Sequence, residues 1–324
     1  MSEESQQPAV DKKPRVTLIN VVRWAIAVVV VVTLVYVVGN ATTQLSESDF
    51  SFKQVGYGWW ALSVGVYVVT MILSASFWHR VLVALGQRPS FSKSLLAYFV
   101  SQLGKYVPGK AMVVVVRTDI IRGEKVNAAP AAASVFVETL TWIFVGSAIS
   151  SFLFAVMFRD QTMLGILAIV FTLVAGLLTW PPVFKKLAAS ISAVLKRGAG
   201  AEKSLDRFAG LNVATMGYGW IVMTFGWCLN GLSLWCVLKG MPGTDVAISD
   251  FPLTLICVAL ATVAGFVSLL PGGLGVRELV IIPLLGTRFG PVTAIVAAIV
   301  IRLVWLGAEV VASAIIYGVL KKRN

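Results

Sequence analysis

Residues 251–288 read FPLTLICVALATVAGFVSLLPGGLGVRELVIIPLLGTR. No charge appears before Arg277, yet the run cannot be one helix, because Pro271, Gly272, Gly273 and Gly275 crowd into five positions. Pro and Gly disfavour a helix interior by roughly 3 and 1 kcal/mol each. After Arg277 and Glu278 only nine uncharged residues, 279–287, precede Arg288. A spanning helix needs about 20 apolar residues to cross about 30 Å of hydrocarbon, so this second piece is too short to return across. Had residues 251–270 crossed fully, the last helix would start on the wrong side for its basic tail. The stretch reads as a re-entrant hairpin, about residues 251–287, entering and leaving the membrane by one face.

The rest of the chain supports a membrane setting. Hydrophobic residues make up 58% of the 324, charged residues 13%, and the mean hydropathy is +0.86. A water-facing surface cannot be built from what remains, so the solvent is a bilayer. Apolar runs of spanning length occupy residues 16–38, 56–78, 161–184 and 208–238, the first interrupted by Arg23. Two more, residues 126–158 and 289–320, carry Glu138 and the pair Arg302 and Glu309. The fold class is therefore all-α and polytopic, with about six crossings and a single embedded domain over residues 16–320. Short polar tails, 1–15 and 321–324, flank it.

Lys and Arg are retained on the cytoplasmic side of short loops. An inside amino terminus places 21 of the 27 there, with Lys53, Arg159, Lys239 and Arg288 opposite and Arg277 and Arg302 within apolar segments. Both termini are thus expected on the cytoplasmic side of a cytoplasmic (inner) membrane, and the net charge of +12 follows from retention rather than from nucleic-acid binding. Residues 183–207 repeat apolar positions at helical spacing beside basic pairs, as an amphipathic segment on the inner leaflet does. Residues 1–11 are polar and acidic, so no cleavable signal is expected before the first span. Cys228, Cys236 and Cys257 lack metal or disulfide spacing and read as core residues. The one histidine, His79, reads as interfacial. No phosphate-cradling nucleotide motif occurs, and no cofactor or metal is expected.

A second break lies between the second and third spans. Residues 94–104 are uncharged but too short to cross, and they run into Lys105-Tyr106-Val107-Pro108-Gly109-Lys110. A further apolar piece, 111–116, leads to Arg117. A helix that enters from inside, breaks at Pro108-Gly109 and returns accounts for this, giving a hairpin over about 94–117. Three crossings separate the two hairpins, an odd number, so they point in opposite directions. Glu138 follows Pro108 by 30 residues and Arg302 follows Pro271 by 31, and that matched order is the sign of inverted repeats. In such designs broken helices meet near the midplane and expose helix ends to a ligand.

The charges inside the membrane are Arg117, Glu138, Arg277, Glu278, Arg302 and Glu309, three of each sign, which can neutralise one another. An isolated charge at that depth costs at least about 2.5 kcal/mol. Two roles are open to them: structural ion pairs that lock the hairpins, and an arginine-rich pocket for a phosphate, which guanidinium grips in a bidentate manner. Lys105 and Lys110, beside the first break, join them as candidate headgroup contacts.

The two stretches Gly104-Lys105-Tyr106-Val107-Pro108-Gly109-Lys110 and Leu270-Pro271-Gly272-Gly273-Leu274-Gly275-Val276-Arg277-Glu278 resemble the signatures of the flippase-like, lysylphosphatidylglycerol synthase transmembrane-region proteins. The resemblance covers about residues 15–321. It implies translocation of an anionic lipid, such as a phospholipid, an aminoacyl-phospholipid or a polyprenyl-phosphate-linked species. By position it implicates Lys105, Pro108, Gly109, Pro271, Gly272, Gly273, Gly275, Arg277 and Glu278. Larger members append a soluble aminoacyl-transfer domain; with Asn324 last here, lysyl-lipid synthesis is not expected, and the chain is not expected to be an enzyme. Membrane lipids are the expected partner, with a homodimer or a lipid-modifying enzyme as possible protein partners. Two rival readings are a non-transporting subunit for a lipid-modifying glycosyltransferase or synthase, and an intramembrane enzyme acting on lipid phosphates.

Overall fold

A computed structural model describes residues 52–106, 111–123, 125–157, 162–180, 210–268, 271–273 and 275–321, together with residues 32, 182, 183 and 186. The first predicted span apart from Val32, nearly all of the 183–207 segment, and Pro108, Gly109 and Lys110 lie outside the described residues. The helices are α1 (Tyr57–Ala84), α2 (Phe91–Gln102), α3 (Ala111–Ile121), α4 (Ala128–Met157), α5 (Thr162–Thr179), α6 (Val213–Lys239), α7 (Phe251–Val267), α8 (Val276–Phe289) and α9 (Pro291–Lys321). No named strand occurs among the described residues. The chain is an all-α polytopic membrane protein: Tyr57–Ala84, Ala128–Met157, Val213–Lys239, Ile248–Val267 and Pro291–Val319 are each long and apolar enough to cross a bilayer. Its outer surface carries Phe152, Leu173, Ile221 and Phe225 exposed by 61–68%, tolerable in lipid but not in water.

Helix boundaries follow local chemistry. The Ser90 hydroxyl caps α2 by accepting from the Lys93 amide at 3.3 Å, and the Asn212 side chain caps α6 by accepting from the Thr215 amide at 2.8 Å, satisfying amides with no intrahelical partner. Between α7 and α8 the chain turns through Gly272 (φ 56°), Gly273 (φ 67°) and Gly275 (φ 79°), left-handed conformations that residues with a Cβ rarely adopt. There the returning chain passes so close to α7 that a Cβ on Gly273 would lie 3.0 Å from the Gly265 Cα.

α1 and α6 form an antiparallel pair at the centre. At one end the Gly56 amide donates to the Gly240 carbonyl at 2.9 Å; at the other, Gly210 abuts the Ala84 backbone. α2 and α3 start and finish at the Ala84 end: the Arg88 amide donates to the Lys125 carbonyl at 3.1 Å, and Lys93 Nζ donates to the Arg122 carbonyl at 3.2 Å, clasping the two arms where they open. α7 and α8 start and finish at the Gly240 end, where Lys239 Nζ donates to the Val246 carbonyl at 2.9 Å and Arg288 Nε donates to Asp250 Oδ1 at 3.0 Å. The two helical hairpins therefore run in from opposite ends of the α1–α6 pair. Each is followed by a long helix, α4 or α9, leaving from the end its hairpin came from.

The observed hairpins are slightly longer than the sequence suggested, Phe91–Ile121 rather than 94–117 and Phe251–Phe289 rather than 251–287. Lys93 extends the first because its amine reaches the far arm instead of ending the helix. At 12 and 11 residues, α2 and α3 are about 18 and 16 Å long at about 1.5 Å rise per residue, half a bilayer. His79 Nδ1 lies 2.9 Å from the Ser94 hydroxyl, joining α1 to α2 near the hairpin's open end. The three cysteines are free thiols, Cys236 and Cys257 buried.

Candidate functional site

The hairpin tips meet. A Cβ on Gly272 would fall 2.9 Å from the Tyr106 ring, and Arg302 Nη2 donates to the Gly272 carbonyl at 2.7 Å. Around this meeting point the charges sort into pairs, and they do so between elements rather than within them. Arg117 of α3 donates through Nη1 to Glu138 Oε2 of α4 at 2.9 Å and through Nε to the Ser101 hydroxyl at 2.8 Å. Its guanidinium also lies over the rings of Tyr98 and Trp78, at 4.2 and 5.0 Å. Arg302 of α9 pairs with Glu278 of α8. Both pairs tie the second arm of a hairpin to the long helix after it, with the signs exchanged between the halves.

The third pair links the halves. Glu309 of α9 is fully buried and accepts from both Lys105, at the tip of the first hairpin, and the Tyr67 hydroxyl. Tyr67 is held by stacking on Trp305, ring centroids 4.8 Å apart. Arg302 and Glu309, seven residues apart on α9, thus serve different hairpins.

Lys105 alters the charge count. Among the described residues the interior holds four cations, Lys105, Arg117, Arg277 and Arg302, against three carboxylates, Glu138, Glu278 and Glu309. The balance of three against three expected from the sequence does not hold, because Lys105 sits at the buried hairpin tip, where it takes Glu309. Arg277 is left with no carboxylate within ion-pair distance among the described residues, and its Nε is buried without a hydrogen-bond partner.

Arg277 faces a cavity of about 500 Å³ bounded by both hairpins, α1, α4 and α6. Its polar lining includes Tyr98, Lys105, Arg117, Glu138 and Asn230. Val115, Phe136 and Phe266 also line it and are 53%, 56% and 37% exposed, so the chamber extends from buried charge to the apolar periphery. Arg277 and Gly272 also line a second space of about 20 Å³ beside Arg302 and Trp305. Trp305 likewise lines both.

The structure thus gathers Lys105, Arg117, Glu138, Arg277, Glu278, Arg302, Glu309 and the Gly272-Gly273 break in one region; Lys110, Pro108 and Gly109 lie outside the described residues. Arg117 is 1% exposed and Arg302 is bound to Glu278 and a carbonyl, which leaves Arg277 as the open guanidinium. Sequence reading missed Tyr67 and Asn230, which belong to helices that read as plain spans, and Tyr98 and Trp305, which lie in the first hairpin and in the charge-bearing last helix without being singled out there. Tyr106 had one signal, its place beside Lys105 in the first break. Among the described residues no group of three or more His, Cys, Asp or Glu is placed to hold a metal.

Comparison with known families gives a match over residues 24–311 to the one described as the lysylphosphatidylglycerol synthase TM region. No curated protein matches the chain.

Proposed function

The chain belongs to the lysylphosphatidylglycerol synthase TM region family, and from that membership and the open guanidinium of Arg277 we propose that it is a lipid flippase or scramblase. Its substrate is an anionic lipid whose headgroup phosphate lies on Arg277 in the chamber between the hairpins, while its hydrocarbon chains stay in the bilayer beside Val115, Phe136 and Phe266. One observation carries this reading: a cation with no carboxylate within ion-pair distance among the described residues, in a chamber that reaches the apolar surface. A guanidinium buried without an anion is unfavourable, and a phosphodiester supplies one negative charge and oxygens that match the guanidinium fork.

The two hairpins act as re-entrant segments. Arg80, Arg88, Lys93, Arg122 and Lys125 cluster around the Ala84 end, against Lys53, Lys239 and Arg288 around the other, a bias that supports an orientation with the Ala84 end facing the cytoplasm. The tip contacts of Lys105 with Glu309 and of Tyr106 with Gly272 separate the headgroup chamber from the far side, and translocation requires them to part. The test is reconstitution into liposomes with fluorescent anionic lipids and a membrane-impermeant quencher. Wild-type protein is expected to expose inner-leaflet lipid to the quencher, and Arg277→Ala to slow this at least about tenfold. Undiminished translocation by a folded Arg277→Ala protein refutes the assignment.

A further inference from the structure

Asn230 of α6 lines the same chamber as Arg277, and lipid translocation as proposed gives it no task. It is 3% exposed, and its Oδ1 is buried with no hydrogen-bond partner among the described residues. Other polar groups on the α1–α6 seam are satisfied. The Ser63 and Ser233 hydroxyls lie 2.7 Å apart, Trp305 Nε1 donates to the Ser233 hydroxyl at 3.0 Å, and the Thr70 hydroxyl donates to the Val66 carbonyl at 3.3 Å. Asn230 alone on this seam keeps an idle carboxamide, in a setting where burying an unpaired polar group is disfavoured. A leucine there would pack without that penalty.

A carboxamide both donates and accepts, so it matches a neutral hydroxyl, which does the same, better than a phosphate, which the guanidinium serves. We propose that Asn230 is a specificity-determining residue that hydrogen-bonds a hydroxyl on the headgroup whose phosphate lies on Arg277. This rests on the lipid-translocation reading and deepens it: the substrate class becomes monoanionic phosphodiester lipids that carry a neutral hydrogen-bonding group beyond the phosphate. About 500 Å³ is within the usual range of ligand pockets and accommodates such a headgroup. An isosteric lipid lacking the group leaves Asn230 unpaired and is rejected, as sites built around a substrate hydroxyl reject analogues without it.

Phosphatidylglycerol and phosphatidylbutanol share charge and are close in headgroup size, and only the first has headgroup hydroxyls. In liposomes the wild-type protein is expected to move acyl-labelled phosphatidylglycerol at least about fivefold faster, the worth of one buried hydrogen bond. In Asn230→Leu and Asn230→Ala that ratio is expected to fall to about one. Equal wild-type rates overturn the proposal, as does a preference that survives both substitutions; the wild-type comparison keeps it refutable even if neither variant folds. If the protein moves neither lipid, the translocation reading fails. Selectivity is then read from thermal stabilisation in detergent, where equal stabilisation by the two lipids overturns the role of Asn230.

Discussion

Replacing Glu138 by Leu is expected to be among the most damaging single changes to this protein's stability. The Arg117 and Glu138 side chains are 1% and 7% exposed, so the substitution strands a guanidinium where water cannot reach it. Arg117 would retain only the Ser101 hydroxyl and the faces of Tyr98 and Trp78. Breaking a buried pair from one side costs about 3–5 kcal/mol, which lowers the folded-to-unfolded ratio by roughly two to nearly four powers of ten. Arg117→Met should cost a similar amount, because Glu138 would keep only the Tyr98 hydroxyl. The double variant removes both charges and fills the space with apolar atoms. Its expected cost is below that of either single change, within about 2 kcal/mol of wild type. Unfolding titrations in mixed detergent micelles measure all four corners of this cycle. A coupling energy under about 1 kcal/mol refutes the reasoning, since it would mean that the two groups do not act as a unit.

Three further outcomes follow from the same geometry. Cysteines replacing Lys105 and Glu309, joined by a short bis-maleimide, should halt lipid translocation, because their ion pair spans the two halves; continued transport by the cross-linked protein contradicts tip opening. Gly104→Val should lower the melting temperature by the equivalent of about 1–3 kcal/mol, since an added Cβ lies 2.9 Å from the Met112 and Val113 backbone of the opposite arm. Gly58→Ala, with nothing within 4 Å, is the control and should be neutral or slightly stabilising. On a cysteine-free background, Arg88→Cys and Arg288→Cys should react with impermeant reagents from opposite faces, and labelling from one face contradicts opposed hairpins.

Much of the fold was legible because its signals are local. Pro271, Gly272, Gly273 and Gly275 stop a helix wherever they occur, and 279–287 is too short to cross in any setting. Runs such as 208–238 announce spanning helices by length and apolarity alone, and α6 duly covers Val213–Lys239. The candidate site was legible as a set of residues but not as a set of partnerships. Glu309 and Arg302 share α9 and lie seven residues apart, yet each reaches a different hairpin. Lys105 read as a headgroup contact beside the first break, and only its place at the hairpin tip shows that it claims Glu309. Asn230 had no signal, because a polar residue in a long span is as readily explained by packing against a neighbour.

By itself, then, the order of residues determined that this chain is a bundle of membrane helices with two breaks of opposite sense, since helix length, helix stops and the sidedness of basic residues depend on neighbours within a few turns. Which charges cancel, which one remains and where the open chamber lies were decided by tertiary structure alone. Those depend on contacts between residues 21 to 204 positions apart, and the surplus cation at Arg277 emerges only once the other interior charges among the described residues have found their partners.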